Sequence, residues 1–433
     1  MLIRFFNRLY NFLLANKKVQ FAYYSLLILY TIVFIVVYHL YGIIAVGYHT
    51  NIVIPLILLA FIELLKKLKI VSKNIYGKVR YLLTIYLIIE SFLLLIRPIA
   101  ITNQTQMGQY LSLKNPNPNS YFHLRPPHQH YRLKTYEFNY PRTTNSIGLP
   151  DKEWHLNKPP QTIRILCIGD SFTEGDGTAF TETYPAFLTQ MLGQKYNNIQ
   201  VLNAGRCGSD PFFDFQLLKD KLIAYQPDII LQSFTTNDFY FDMLVRGGQE
   251  RFSTNHKLKY SKKVWWEPIY AASFTARILI QTIGGYDKNL IKRHELEKEL
   301  PRMKMDAISL FTQYQKFTKE NNIDLIVYTI PFKLDFEDKH DNADFYQLFN
   351  NQFSSFNLPF FNLESCYHTY IQKHHSNYKD FYWKFDGHHN AKGYKMMATC
   401  LEEILTPYIN KRENQFVNIS SSSPLVDKNN VKH

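Results

Sequence analysis

Hydrophobic positions are spread unevenly along this chain. Residues 21–46 (FAYYSLLILYTIVFIVVYHLYGIIAV) contain no Lys, Arg, Asp or Glu. About 20 apolar residues in a helix cross a bilayer core, so this run predicts a transmembrane helix. Residues 81–99 (YLLTIYLIIESFLLLIRPI) form a second such run, with Glu90 near its middle, and residues 52–65 (IVIPLILLAFIELL) reach spanning length if begun near Gly47. Beyond Pro159-Pro160 the pattern changes to short apolar runs alternating with helical stretches. Strands are predicted at 162–168, 199–202, 227–234, 323–330 and 359–363, and helices at 184–192, 212–224, 303–320, 344–355 and 391–408. Continuous apolar strands between helices imply a parallel sheet covered on both faces.

The fold class that follows is α/β, a three-layer α/β/α sandwich preceded by an N-terminal transmembrane helical region. Residues 1–100 hold the transmembrane region, with helices near 21–46, 47–65 and 81–99. Residues 101–160 form a lead-in of short strands and turns, and 161–410 form the α/β domain. Residues 239–300 interrupt its alternation as an insertion, and the polar residues 411–433 are expected to be a disordered tail.

Charge adds topology to this picture. The net charge is +13, but residues 1–100 carry eleven Lys or Arg against two acids, so nine of those charges lie in the hydrophobic N-terminal region. A nucleic-acid groove would need its cations on the folded domain, so nucleic acid is not an expected partner; the lipid bilayer is. Arg4, Arg8, Lys17 and Lys18 precede the first run, the 47–51 loop has no Lys or Arg, and residues 66–80 carry six. By the positive-inside rule this predicts three crossings, with everything after residue 100 outside the cytoplasm. With only two crossings, and 52–65 interfacial, the domain would stay cytoplasmic. The first run is longer than the core of a cleaved signal peptide. Glu90 is expected to pair inside the helical bundle. The insertion, with Trp265-Trp266 and the apolar AASFTARILIQTIGG, suits a cap over a site, an interfacial element or an ordinary helical insertion alike. Four cysteines (Cys167, Cys207, Cys366, Cys400) lack CxxC spacing and read as small buried apolar groups. An oxidising compartment would permit a disulfide, for which the spacing selects no pairing.

Candidate chemistry sits where ligands bind in such sheets, at the carboxyl ends of the strands. Gly169-Asp170-Ser171-Phe172-Thr173-Glu174-Gly175 follows the first strand, Asn203-Ala204-Gly205-Arg206-Cys207-Gly208 the second, and Thr235-Thr236-Asn237-Asp238 the third; Asp386-Gly387-His388-His389-Asn390 precedes the last helix. A serine nucleophile needs a base, an acid to orient it and oxyanion donors, and these segments supply all of them. Thr173 occupies the place of the second glycine of a GxSxG elbow, which disfavours the usual α/β-hydrolase. Singly, each segment also reads as helix-capping turn chemistry. Consecutive histidines diverge on a regular element, so neither a metal nor a cofactor is expected at Asp386-Gly387-His388-His389.

In order and placement the four blocks, over roughly residues 160–408, resemble the membrane-anchored members of the SGNH/GDSL hydrolase superfamily. The resemblance implies Ser171 as nucleophile and first oxyanion donor, with Gly208 and Asn237 completing the oxyanion hole and Gly205 shaping its turn. Thr235 stands where many members have glycine. A DxxH reading of the last block makes His389 the base. The DxH form followed by Asn390 and Gly393, seen in many membrane-anchored relatives, makes it His388, which is the preferred choice here, with Asp386 as its partner. The implied activity is that of a serine esterase or O-acyltransferase acting on O-acyl, above all O-acetyl, groups of cell-envelope carbohydrate. A lipid esterase or lysophospholipase, or a non-catalytic envelope polysaccharide-binding or assembly protein, are the alternatives.

Overall fold

The computed structural model describes residues 50–96, 124–135, 137–245, 266, 269–270, 273–283, 293–338 and 341–422. The chain divides into two compact units, Met1–Asn119 with Lys263–Leu290, and Ser120–Lys262 with Ile291–His433.

In the first unit, α1 (Thr50–Lys67) and α2 (Lys73–Ile96) pack as a helical hairpin. Its turn is pinned by Tyr76, whose hydroxyl donates to Glu63 while the Lys66 ammonium sits 4.0 Å over its ring. Among the described residues α2 alone is long and apolar enough to cross a membrane. It begins eight residues before the predicted 81–99 run. The 47–65 expectation corresponds to α1, which carries Glu63, Lys66 and Lys67 toward its end, and the expected first span at 21–46 lies outside the described residues. The outward faces of both helices are apolar, with Ile57, Phe61, Leu82, Phe92 and Leu95 exposed. An insertion helix, Phe274–Thr282, belongs to this unit and packs against α2.

The second unit is the α/β/α sandwich. Strands β3 (Ile163–Ile168), β4 (Ile199–Asn203), β5 (Ile229–Ser233), β6 (Asp324–Thr329) and β7 (Phe360–Asn362) form a parallel sheet in the order β4-β3-β5-β6-β7. A separate antiparallel hairpin, β1 (His130–Lys134) and β2 (Asn139–Thr143), lies in the lead-in. Period-two alternation sends β3 side chains to opposite cores: Leu166 and Ile168 to one, Ile163, Ile165 and Cys167 to the other. The first core is closed by α4 (Pro211–Asp220), α5 (Arg293–Glu320) and α6 (Asp341–Ser355), and is rich in Phe213, Phe234, Phe311, Phe345, Phe349 and Phe353. The second is closed by α3 (Tyr184–Gly193), α7 (Glu364–Lys373) and α8 (Ala391–Ser422).

Three elements differ from the sequence expectation. Helix α5 starts at Arg293, ten residues early, inside the segment assigned to the insertion. Helix α7 was not expected at all. Helix α8 runs to Ser422 rather than giving way to a tail near 411; Lys411 and Arg412 pair with Asp324 at 2.8 and 2.7 Å and hold its first extra turn at the start of β6.

Cys366 on α7 and Cys400 on α8 are joined in a disulfide, of which Cys167 and Cys207 are not part. Closing a loop across 34 residues restricts the unfolded chain by about 3–4 kcal/mol. Reductant is therefore expected to lower the thermal unfolding midpoint of the wild type and to leave a Cys366→Ser, Cys400→Ser double variant unchanged. A scan with and without dithiothreitol measures both.

Candidate active site

Ser171 opens a one-turn helix, Ser171–Glu174, directly after β3. Asp170 is its N-cap, accepting from the Phe172 N–H at 2.9 Å, and Gly175 ends it in the left-handed region. The turn can form this tightly because the second block packs onto it: a Cβ at Gly205 would lie 2.1 Å from the Glu174 nitrogen. The two blocks are then laced together. Arg206 N–H and the Ser209 hydroxyl both donate to the Gly169 carbonyl, at 2.8 and 2.9 Å, which fixes the 206–209 turn with Gly208 in the left-handed region (φ 74°).

The last block closes on this pair. His388 Nε2 is 2.7 Å from Ser171 Oγ, and His388 Nδ1 is 2.5 Å from Asp386 Oδ1. Ser171 is 7 % exposed, so the three side chains form a chain of hydrogen bonds that ends in a half-buried carboxylate. His389 goes elsewhere. It is fully buried beneath the sheet, its Nε2 3.1 Å from the Tyr367 hydroxyl and its Nδ1 3.2 Å from the Phe381 carbonyl, with Phe172, Tyr382 and Tyr394 around it. Of the two histidines, only His388 meets Ser171. Asn237 is half-buried at the end of β5, its amide donating to Asp242 at 3.4 Å. Thr235, the departure from the glycine of the resemblance, does not adopt a positive φ; its N–H and hydroxyl both donate to Asp238, at 2.7 and 2.9 Å. The strand end is shaped by that pair of bonds instead of by glycine.

Electrostatics separate the two imidazoles. Burial opposes a charged ring at His388, yet the Asp386 hydrogen bond and charge, with Asp176 and Asp170 behind, raise it to about 9. His389 has no such carboxylate, and burial drives it down to about 3, so it stays neutral. Burial raises Asp176 to about 6, helped by the nearby charge of Glu174. Asp386 itself is lowered: burial works against its charge, and the bond to His388 outweighs burial. No cluster of three His, Cys, Asp or Glu side chains among the described residues is arranged to hold a metal.

Several residues that shape this site were not singled out from the sequence. Glu174, fully buried, accepts from Arg206 (2.9 Å), the Cys207 N–H (2.6 Å) and the Tyr131 hydroxyl (3.0 Å), with Arg125 at 3.8 Å. Burial disfavours its charge, but Arg206, Arg125, the Cys207 N–H and Arg142 hold it down at about 2. Arg142 donates to the carbonyls of Gly175 and Thr178. Glu137, in the turn between β1 and β2, accepts the N–H groups of Lys384, Phe385 and Asp386 at 2.8, 2.9 and 2.7 Å. The lead-in segment therefore braces both halves of the site. The one available signal was a charged Glu174 inside a turn otherwise committed to burial.

A model of the GDSL-like lipase/acylhydrolase family matches residues 167–396, just over half of the chain and all four blocks. The chain belongs to that family. Solved structures similar to this GDSL-like chain include three esterases or lipases. A GDSL-like lipase from Bacteroides thetaiotaomicron is 14% identical (59% of this chain, 93% of that one, TM-score 0.33). A catalytic mutant of an acetylxylan esterase from Geobacillus stearothermophilus is 15% identical (56% and 93%, TM-score 0.36). A two-domain esterase active on acetylated mannans is 14% identical, with 58% of this chain covering 49% of that one (TM-score 0.33). No curated protein matches this GDSL-like acylhydrolase.

Proposed function

We propose that the protein is a membrane-anchored serine esterase or O-acyltransferase that acts outside the cytoplasm on O-acyl groups of carbohydrate. The observation that carries this reading is the unbroken Ser171–His388–Asp386 hydrogen-bond chain. Neutral His388 takes the proton of Ser171 as its oxygen attacks an ester carbonyl, and Asp386 steadies the imidazolium that forms. The oxyanion is held by the N–H groups of Ser171 and Gly208 and by the Asn237 amide, which turns from Asp242 toward the substrate. His388 then protonates the leaving sugar oxygen. Water, or another hydroxyl in a transferase, gives up its proton to His388 and releases the acyl group from Ser171.

The location rests on two supports. Helix α2 is suited to cross a bilayer, and the Cys366–Cys400 disulfide fits an oxidising compartment. For the substrate, Phe385, 72 % exposed, stands one residue before Asp386. An exposed aromatic ring there offers a platform for the C–H face of a sugar.

The test uses the full chain in detergent, with fluorophosphonate labelling and with acetylated polysaccharide compared against p-nitrophenyl acetate and a long-chain p-nitrophenyl ester. Acetate release from polysaccharide, lost on Ser171→Ala, is expected. Phe385→Ala should raise KM for the polymer several-fold and leave p-nitrophenyl acetate turnover unchanged. Preference for the long-chain ester would move the assignment to a lipid esterase. A folded chain whose Ser171 resists the probe would indicate a binding or assembly protein.

A further inference from the structure

Glu90 is the one acid in the apolar stretch of α2, and it is fully buried. Its carboxylate accepts the Ser273 hydroxyl at 2.7 Å, the Phe274 N–H at 2.9 Å and the Thr275 N–H at 2.9 Å. These are the cap and first residues of the insertion helix, where backbone N–H groups have no partner within the helix and the dipole is positive. Ser273 completes the arrangement by accepting from the Ala276 N–H at 3.1 Å, so one carboxylate and one hydroxyl close the whole first turn. Glu90 stands six residues before the end of α2, about 9 Å along the helix axis. At that depth an acid is costly unless it is fully bonded.

The rest of the insertion helix suits the same surroundings. From Ser273 to Ile283 its one charged residue is Arg277, which is buried with its Nε bonded to the Tyr270 carbonyl and its guanidinium 4.4 Å over the Phe274 ring. The positions turned outward include Leu279 (55 % exposed) and Ile283 (75 %), one helical turn apart. Their helix packs on α2, whose own outward face is Leu82, Ile88, Ile89, Phe92 and Leu95. A face without charge, on a helix bonded to the membrane-crossing element, has a lipid bilayer as its fitting occupant.

We propose that the insertion helix Phe274–Thr282 is a lipid-facing part of the membrane anchor, docked through Glu90, with Leu279 and Ile283 in contact with acyl chains. This rests on the membrane-anchored reading. It also assigns the acid of α2 a docking role, and makes the anchor discontinuous in sequence: Phe239 and Met243 still lie in the sandwich core, Lys263–Leu290 belongs to the anchor unit, and the chain returns at α5.

The experiment uses the full chain in phosphatidylcholine vesicles, with a fluorophore placed at Ile283→Cys or Leu279→Cys and, as control, at Met305→Cys, an exposed position on α5, each read against the parent chain. Spin-labelled lipid is expected to quench positions 279 and 283 at least several-fold more than 305, and aqueous iodide to show the reverse order. Glu90→Ala should make 283 accessible to iodide, with Glu90→Gln, which keeps an acceptor, falling between it and the parent. Release of the full chain from membranes by alkaline carbonate overturns the anchored reading and this inference with it. Retention in the membrane with 279 and 283 quenched by iodide as strongly as 305 overturns the inference alone. If Glu90→Ala leaves 283 in lipid, the docking role of Glu90 is wrong.

Discussion

Alanine at His388 is expected to lower kcat for ester hydrolysis by about 10⁴- to 10⁶-fold, the scale seen when a serine-hydrolase triad loses its base, while alanine at the adjacent His389 leaves catalysis in place on a less stable protein. The contrast follows from where the rings sit. His388 Nε2 touches Ser171 Oγ, whereas His389 fills the second core between Phe172, Tyr382 and Tyr394. Removing a buried ring of that size costs about 3–5 kcal/mol, which a urea midpoint would register. The same pair separates by pH. A base must be neutral to accept a proton, and the carboxylates around His388 favour its charged form, so kcat/KM should rise through alkaline pH on a limb well above the ordinary histidine value and approaching 9. Asp176→Asn removes one of those negative charges and should move the limb to lower pH. Kinetics across pH 5–10 for wild type, His389→Ala and Asp176→Asn check both parts. Full activity in His388→Ala would remove the triad from the mechanism.

Glu174→Ala should damage both stability and rate, although Glu174 acts on the site only through its neighbours. Its carboxylate joins Arg206, the Cys207 N–H and Tyr131 inside the protein. Breaking a buried pair by removing one partner costs about 3–5 kcal/mol. The loss also loosens the 206–209 turn that carries Gly208, and a misplaced oxyanion donor costs about 100-fold or more in rate. Because an oxyanion donor acts mainly on the transition state, the fall should appear in kcat with KM little changed. Glu174→Gln keeps an acceptor without the charge and should recover part of both losses. Measuring urea midpoint, kcat and KM for the two variants separates positioning from simple unfolding. If Glu174→Ala lost stability with an unaltered kcat for the folded fraction, the positioning role would be disproved.

How much of this was legible beforehand depended on which residues had to speak for themselves. The five sheet strands announce themselves because both faces of a parallel sheet are buried, so ILCI at 165–168 and LIVY at 325–328 read as unbroken apolar runs. The meeting of Ser171 with Asp386 and a histidine was accessible too, since each stands in a motif at the end of a strand or the start of a helix, but the motif offered both His388 and His389 and the resemblance chose between them. Helix α7 was easily passed over: Leu363, Cys366, Tyr367, Tyr370 and Ile371 recur at helical spacing and pack on the second core, but the stripe is made mostly of Cys and Tyr between polar residues. The start of α5 was hidden by the charged RHELEKEL, which has no core-facing pattern. The disulfide partner, the contacts of Glu90 and the bracing by Glu137 and Glu174 all join residues far apart in sequence. Local pattern carries no record of such pairs.

The residue separation inside the triad has a temporal meaning. Ser171 and His388 are 217 positions apart, with four of the five sheet strands made between them. If Ser171 is the nucleophile proposed above, a growing chain exposes it early and receives His388 only near completion, after slow non-local strand pairing. Until then the serine is an ordinary alcohol. On the proposed mechanism a nascent chain is thus inert toward every ester it meets, and the first turnover marks the moment its C-terminal half has folded.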